Sequence, residues 1–292
     1  MAFILGTSGN DLLLGTPGDD YLGDGGGGVD TIDGGAGNDQ WRDDLTSNAD
    51  LTFSQTGGGS YVLSNGTTLT NVESVNLTTG SGDDTFNVML PLGSDFIDAG
   101  AGNNAININA SSASAATSVS YDSIAPSILS LSVGLGSSIT AYSVNNISVT
   151  TGAFDDNFVI VGGQGRHFAI DGGGGANYAH LDFSADATPV DFTLNSAPGS
   201  ISYFAGDGSS LKNIGRVEIK TGSGDDQLTG GDQSDALEVG TGHNVLNGGA
   251  GDDWLVGRGV DTVDGGTGND AWSGDYGTST ANLTFTQTSA SS

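Results

Sequence analysis

Aspartate recurs at one fixed place in a glycine-rich, nine-residue pattern along this chain. Residues 248–256 read GGAGDDWLV, residues 265–273 read GGTGNDAWS and residues 34–42 read GGAGNDQWR. Each is a copy of G-G-x-G-x-D-x-U-x, with U a large apolar residue. The glycines permit the positive φ angles of tight turns and let backbone carbonyls approach an ion. The aspartate adds a hard anionic oxygen, which suits calcium better than softer metals. A lone G-G-x-G would mean little, so the specificity lies in the tandem spacing.

Two arrays hold that spacing. The first runs GTSGNDLLL (6–14), GTPGDDYLG (15–23), GGGGVDTID (25–33) and GGAGNDQWR (34–42), with Asp24 as an extra residue. The last runs TGSGDDQLT (221–229), GGDQSDALE (230–238), VGTGHNVLN (239–247), GGAGDDWLV (248–256), the shorter GRGVDTVD (257–264) and GGTGNDAWS (265–273). Isolated copies lie between them, at TGSGDDTFN (79–87), LPLGSDFID (90–98), AGAGNNAIN (99–107) and DGGGGANYA (171–179).

This register resembles the RTX, or haemolysin-type, calcium-binding repeat family. The resemblance implies a parallel β-roll in which successive copies lie on alternating sides, so that same-side turns are about eighteen residues apart. An ion between two such turns takes both aspartates and several carbonyls. Carried onto this chain, the rule sets Asp11 against Asp30 and Asp20 against Asp39. It also stacks Asp226, Asn244 and Asp261 on one side, and Asp235, Asp253 and Asp270 on the other. The neutral amide of Asn244 should weaken its site. Asp84 and Asp95, from the isolated copies, complete the expected calcium ligands, whereas Asn104 and Asn177 replace the aspartate of theirs.

The elements that must hold these turns are short strands. The U residue points inward once per copy, so stacked strands enclose a thin apolar core. A longer repeat overlies the short one, because NVESVNLTTGSGDD (71–84), NNISVTTGAFDD (145–156) and NIGRVEIKTGSGDD (213–226) match one another. The chain therefore reads as about four units of roughly seventy residues, each joining a turn-rich region to a turn-poor β region. Runs such as DLTFSQT and SYVLSNG alternate and break at Gly and Asn, as strands do. No stretch has helical periodicity. The fold expected is an all-β parallel β-roll or solenoid, each coil covering its neighbour. Its segments would be an N-terminal array (1–42), degenerate solenoid units (43–220), a C-terminal array (221–273) and the opening of a further, incomplete β unit (274–292). Residues 110–140, rich in Ser and Ala, read as a strand-bearing but degenerate unit or a flexible linker.

Composition narrows the function classes. The chain has 292 residues, 51 glycines, 35 acidic against 6 basic residues, no cysteine and a formal charge of −29. Such a chain lies near the disordered regime, so metal binding and folding should be coupled. Six Lys and Arg residues make no basic patch for nucleic acid or anionic lipid. Disulfide staples and thiolate zinc sites are ruled out. No apolar run reaches transmembrane length, and Met-Ala-Phe-Ile-Leu is too short and uncharged for a signal peptide.

Catalytic patterns are thin. Neither G-x-S-x-G nor H-E-x-x-H occurs. His167, His180 and His243 are scattered, and Tyr121, Asp122 and Tyr203 lack a dedicated basic partner. The chain is read as a non-enzyme. Trp41 and Trp272, at U positions, should point inward, while Trp254, one position before U, should face outward as a ligand-contact candidate. The function expected is a calcium-binding structural or adhesive module of an exported cell-surface protein, such as an S-layer, sheath, filament or large adhesin. The alternative is a folding and export module joined to a secreted hydrolase or polysaccharide epimerase or lyase. The resemblance implies extracellular folding after one-step export without an N-terminal signal peptide. Partners expected are calcium ions, further copies or neighbouring domains, and a surface polysaccharide. The apolar residues Phe3, Ile4, Leu5 and Leu12–Leu14 at one end, with Leu283 and Phe285 at the other, suggest end-to-end association.

Overall fold

The computed structural model describes residues 1–275 apart from 24, 47–49, 91–92, 125, 135 and 163–166. These residues form 29 short strands and no helix. The segment expected to open a further β unit, including Leu283 and Phe285, lies almost wholly outside them. The chain divides into two compact units, Met1–Phe154 with His167–Gly173, and Asp155–Arg166 with Gly174–Ser292.

In the first unit the nonapeptide strands alternate between two parallel ladders. Phe3–Leu5, Tyr21–Gly23, Gln40–Leu45 and Ser74–Thr79 stack in one, and Leu12–Leu14, Thr31–Asp33 and Thr68–Thr70 in the other. Alternation follows from the pattern, because six turn residues reverse the chain between three-residue strands. The U positions fall in register, Leu22 opposite Trp41 opposite Val75, and Leu13 opposite Ile32 opposite Leu69, all buried. Further along, Phe53, Phe86, Ile106, Ile147 and Phe168 make one buried row through five parallel strands. Trp41 stacks on Phe53 at 6.5 Å between ring centres, and Phe53 on Tyr61 at 5.1 Å, which fills the wider cross-section where longer strands replace three-residue ones.

The second unit repeats the plan. Asn157–Val161, Tyr178–Phe183, Arg216–Thr221, Ala236–Glu238, Trp254–Gly257 and Ala271–Gly274 form one parallel ladder. Asp191–Thr193, Gln227–Thr229, Val245–Asn247 and Thr262–Asp264 form the other. Leu181, Ile219, Leu237 and Leu255 are the buried row of the first ladder.

The parallel roll expected from the repeat holds within each unit, with one correction. Three excursions run antiparallel: Ser60–Leu63 against both Thr52–Gly57 and Thr68–Thr70, Ile128–Val133 against both Thr117–Asp122 and Ser137–Tyr142, and Ile201–Tyr203 against Ser210–Lys212. Antiparallel strands need only a tight loop, whereas a parallel return needs the long glycine turn these segments lack. The described residues within 110–140 thus carry strands, Thr117–Asp122, Ile128–Val133 and the start of Ser137–Tyr142, rather than a linker. Trp272 needs a second correction. It takes the inward register opposite Leu255 yet is 39% exposed, because the last described coil has no described neighbour on its outer side. Trp41 is fully buried and Trp254 is 53% exposed, as their positions in the repeat dictate.

The core row sets a test of the packing. Phe86→Ala should destabilise the calcium-loaded protein by about 3–5 kcal/mol, whereas Val62→Ala, on the outer face, should cost no more than about 1 kcal/mol. Urea midpoints compare the two, and similar shifts would contradict the assigned register.

Candidate metal centre

The candidate centre is a repeated one, set where each glycine turn enters its strand. Asp11, Asp20, Asp30, Asp39 and Asp84 in the first unit immediately precede strands. Asp226, Asp235, Asn244, Asp253, Asp261 and Asp270 do so in the second. From there the side chain turns under the strand and reaches the neighbouring coil. The Asp11 N–H donates to Asp30 Oδ1 at 2.7 Å, and the Asp20 N–H to Asp39 Oδ1 at 2.7 Å. In the second unit Asp226 N–H donates to Asn244 Oδ1 (2.9 Å), Asp235 N–H to Asp253 Oδ1 (2.7 Å) and Asp253 N–H to Asp270 Oδ1 (3.1 Å). Asn244 Nδ2 donates to Asp261 Oδ1 at 2.7 Å. The pairs that the repeat spacing sets face to face therefore meet, at separations of 17 to 19 residues.

Where the acceptor is an aspartate, the bond uses one carboxylate oxygen and leaves the other for the glycine turn. In Asp11, Asp20 and Asp235 it accepts a turn N–H from Thr7, Thr16 and Gly231 respectively. In Asp39, Asp84 and Asp253 the Oδ2 atoms are buried with no hydrogen-bond partner among the described residues. A buried anionic oxygen without a donor is costly, so these atoms ask for a cation or a proton. The turns supply the rest of a cradle. A Cβ on Gly248 would collide with Asp253 Oδ2 and the Gly265 carbonyl, and one on Gly266 (φ 90°) with the Gly249 carbonyl. Carbonyl oxygens of one turn thus lie directly over the glycines of the next, where any side chain would displace them.

This donor set fits calcium, which takes six to eight hard oxygens and accepts backbone carbonyls freely. Among the described residues no three acidic or histidine side chains converge, so the oxygens would come from one or two carboxylates and the stacked turn carbonyls. A calcium ion held there would neutralise the inner carboxylate oxygens and tie adjacent turns together. Burial, the largest cause, raises the Asp39 and Asp253 carboxyls above the ordinary range and lifts Asp95 and Asp235 to about 6. Asp20 is held low, first by the Ala2 N–H and then by Thr16.

Several members of these ladders follow no nonapeptide spacing. Asp39 N–H donates to Glu73 Oε2 (2.8 Å), Asp30 N–H to Thr67 Oγ1 (3.1 Å) and Asn104 N–H to Asn145 Oδ1 (3.0 Å). They come from coils lengthened by excursions, 34, 37 and 41 residues away. Asp156 donates its N–H to Asn177 Oδ1. Its signal was present, since TTGAFDD aligns with the TTGSGDD of Asp84 and the KTGSGDD of Asp226. Asp95 departs from the rest by lying inside its strand, where Oδ1 accepts the Val75 N–H at 2.9 Å. A second, exposed row runs beside the first: Asp19, Asp83, Asp155, Asp225 and Asp252 each accept an N–H from the next coil.

His180 and His243 acquire carboxylate partners only through the fold. His180 Nδ1 lies 3.4 Å from Glu218 Oε1, and His243 Nδ1 3.8 Å from Asp225 Oδ1. Tyr178 donates to Glu218 Oε2 at 2.6 Å, the first cause holding that carboxyl low. The His180 and Tyr178 contacts with Glu218 join neighbouring strands on an outer sheet face, whereas His243 and Asp225 lie in stacked turns. Tyr121 is buried, its hydroxyl donating to the Val144 carbonyl at 3.1 Å, whereas Tyr203 is exposed.

Comparison with known families gives a match to HemolysinCabind, the RTX calcium-binding nonapeptide repeat (4 copies), over residues 5–40, 92–107, 218–246 and 238–271. A search of curated proteins found no match. The matched segments hold the turn aspartates of both arrays, together with Asp95 and Asn104.

Two outcomes test the centre. Asp253→Ala removes the acceptor of the Asp235 N–H, a loss of about 1–3 kcal/mol, and should raise the calcium midpoint of folding roughly tenfold. Asp182→Ala, on a strand's outer face, should leave that midpoint unchanged, and equal shifts would mean that bulk charge sets the response. The second outcome concerns pH in chelator. A carboxyl raised from 3.8 to about 6 on folding favours the fold while protonated and disfavours it once ionised. Residual β-structure without calcium should therefore weaken as pH rises from about 4 to 6, whereas with calcium, which needs ionised ligands, it should strengthen. Urea midpoints across that window give the two slopes, and slopes of one sign would contradict the ligand assignment.

Proposed function

Four segments that match the RTX calcium-binding nonapeptide repeat, on a parallel β-roll, are the premise, and from it we propose that this chain is a structural or adhesive module of an exported surface protein, folding as it meets extracellular calcium. The observation that carries this reading is the ladder of strand-entry carboxylates, most of them buried, with inner oxygens on Asp39, Asp84 and Asp253 that have no partner among the described residues. Stacking like charges at that spacing opposes folding until a cation intervenes. With a formal charge of −29 on the chain, scarce calcium keeps it extended for export and abundant calcium collapses it outside. The role needs no catalytic group.

Self-association extends the proposal. Phe3 and Leu5 are 72% and 71% exposed on the first strand of their ladder, and Leu12 and Leu14 are exposed on the first strand of the other. Apolar strand edges of this kind accept another strand, and a head-to-tail contact that does not close propagates.

Circular dichroism during a calcium titration, with light scattering on the same samples, tests both parts. Expected are weak β-signal in excess chelator, a steep cooperative rise with calcium, and growing particle mass once folded. Unchanged β-content in chelator would overturn the calcium-folded module. A calcium-loaded monomer at high concentration would remove the assembly role alone.

A further inference from the structure

Three asparagines occupy the ladder where the repeat otherwise carries aspartate, and their amides repeat one arrangement. Asn104 Oδ1 accepts the Asp84 N–H at 2.9 Å, the same bond an aspartate Oδ1 makes. Its Nδ2 donates to the Ala99 carbonyl of its own turn (2.9 Å) and to the Ser143 carbonyl of the next coil (3.0 Å). Asn177 does likewise: Oδ1 takes the Asp156 N–H, and Nδ2 reaches the Gly174 carbonyl (3.1 Å) in its turn and the Asn213 carbonyl (2.9 Å) beyond it. Asn244 Nδ2 bridges the Gly240 carbonyl (3.2 Å) and Asp261 Oδ1 (2.7 Å). The backbone N–H fixes which end of the amide is oxygen, so the NH2 group must face the carbonyls.

Asp84, Asp39 and Asp253 show the contrast. There the second atom is a buried oxygen with no partner, facing a turn of oxygens with which it cannot bond directly. A carboxylate needs a cation between itself and those carbonyls, whereas an amide supplies the bridging donor from its own atoms.

We infer that Asn104 and Asn177 are metal-independent rungs, their amide NH2 groups standing where calcium bridges adjacent turns elsewhere in the ladder. This rests on the calcium-folded reading above and deepens it. The aspartate-rich arrays fold with the ion, while the coils around Asn104 and Asn177 are ordered without it and offer a template on which the calcium-dependent coils stack. Asn244, bridged to Asp261, is a mixed rung whose amide replaces one ion in the C-terminal array.

Hydrogen exchange on the full chain, read by mass spectrometry segment by segment, tests this with and without chelator. In chelator, amides in 99–109 and 174–183 should stay protected while those in 7–33 and 245–273 exchange freely. Asn104→Asp should cut protection of 99–109 by about tenfold or more in chelator, because an oxygen then faces the Ala99 and Ser143 carbonyls, and calcium should restore it. Asn104→Ala should lose the same protection without rescue by calcium, which separates an ion site from general damage. Asn104→Asp as protected as wild type in chelator, or damaged beyond rescue by calcium, would overturn the inference. In either case a calcium response of the wild-type arrays would leave the calcium-folded reading standing. Wild-type protein indifferent to calcium in every segment would overturn both.

Discussion

Within each unit, most neighbouring coils among the described residues are tied by one side-chain oxygen that accepts a backbone N–H at the entrance to a strand. Asp30, Asp39, Asp253 and Asp270 make this bond, and so do Asn104, Asn177 and Asn244. It is buried in most coils, it fixes register, and it leaves the second oxygen or nitrogen of the same group facing the glycine turn. Everything else depends on how that second atom is satisfied. The apolar row is only one large side chain deep, so hydrophobic burial alone gives each coil little cohesion beyond its neighbours.

A column of buried carboxylates is an electrostatic problem before it is a binding site. Desolvation raises Asp39, Asp95, Asp235 and Asp253, so the ionised form opposes the fold. The turns answer this in three ways. A turn N–H or hydroxyl serves Asp11, Asp20, Asp226 and Asp235. Replacing the carboxylate by an amide serves Asn104 and Asn177. A cation cradled by stacked carbonyls would answer for Asp39, Asp84 and Asp253. Glycine is required because those carbonyls occupy the space of a Cβ, as at Gly248 and Gly266.

How much of this the sequence displays follows from how stereotyped each part is. A nine-residue turn and strand has one geometry, so spacing alone sets Asp11 against Asp30 and Asp235 against Asp253, and sorts inward Trp41 from outward Trp254. The excursions are less legible. Their strands show as alternating runs, but nothing local says that Ser60–Leu63 or Ile128–Val133 runs antiparallel. Glu73 and Asn145 join the ladder because any oxygen brought to that point can accept the N–H, and the nonapeptide spacing does not reach across the lengthened coils that bring them. Trp272 shows the remaining limit, since an inward register buries a side chain only when another coil covers it.

The account turns on whether a cation occupies the turns of the carboxylate rungs. Crystals grown in calcium, with anomalous differences recorded at a wavelength where calcium scatters, would answer this directly. Peaks are expected beside Asp39 Oδ2, Asp84 Oδ2 and Asp253 Oδ2, between stacked glycine turns, with none beside the Asn104 or Asn177 amides. A map with no peak at any of the three carboxylates, in a chain that keeps these coils, would contradict it.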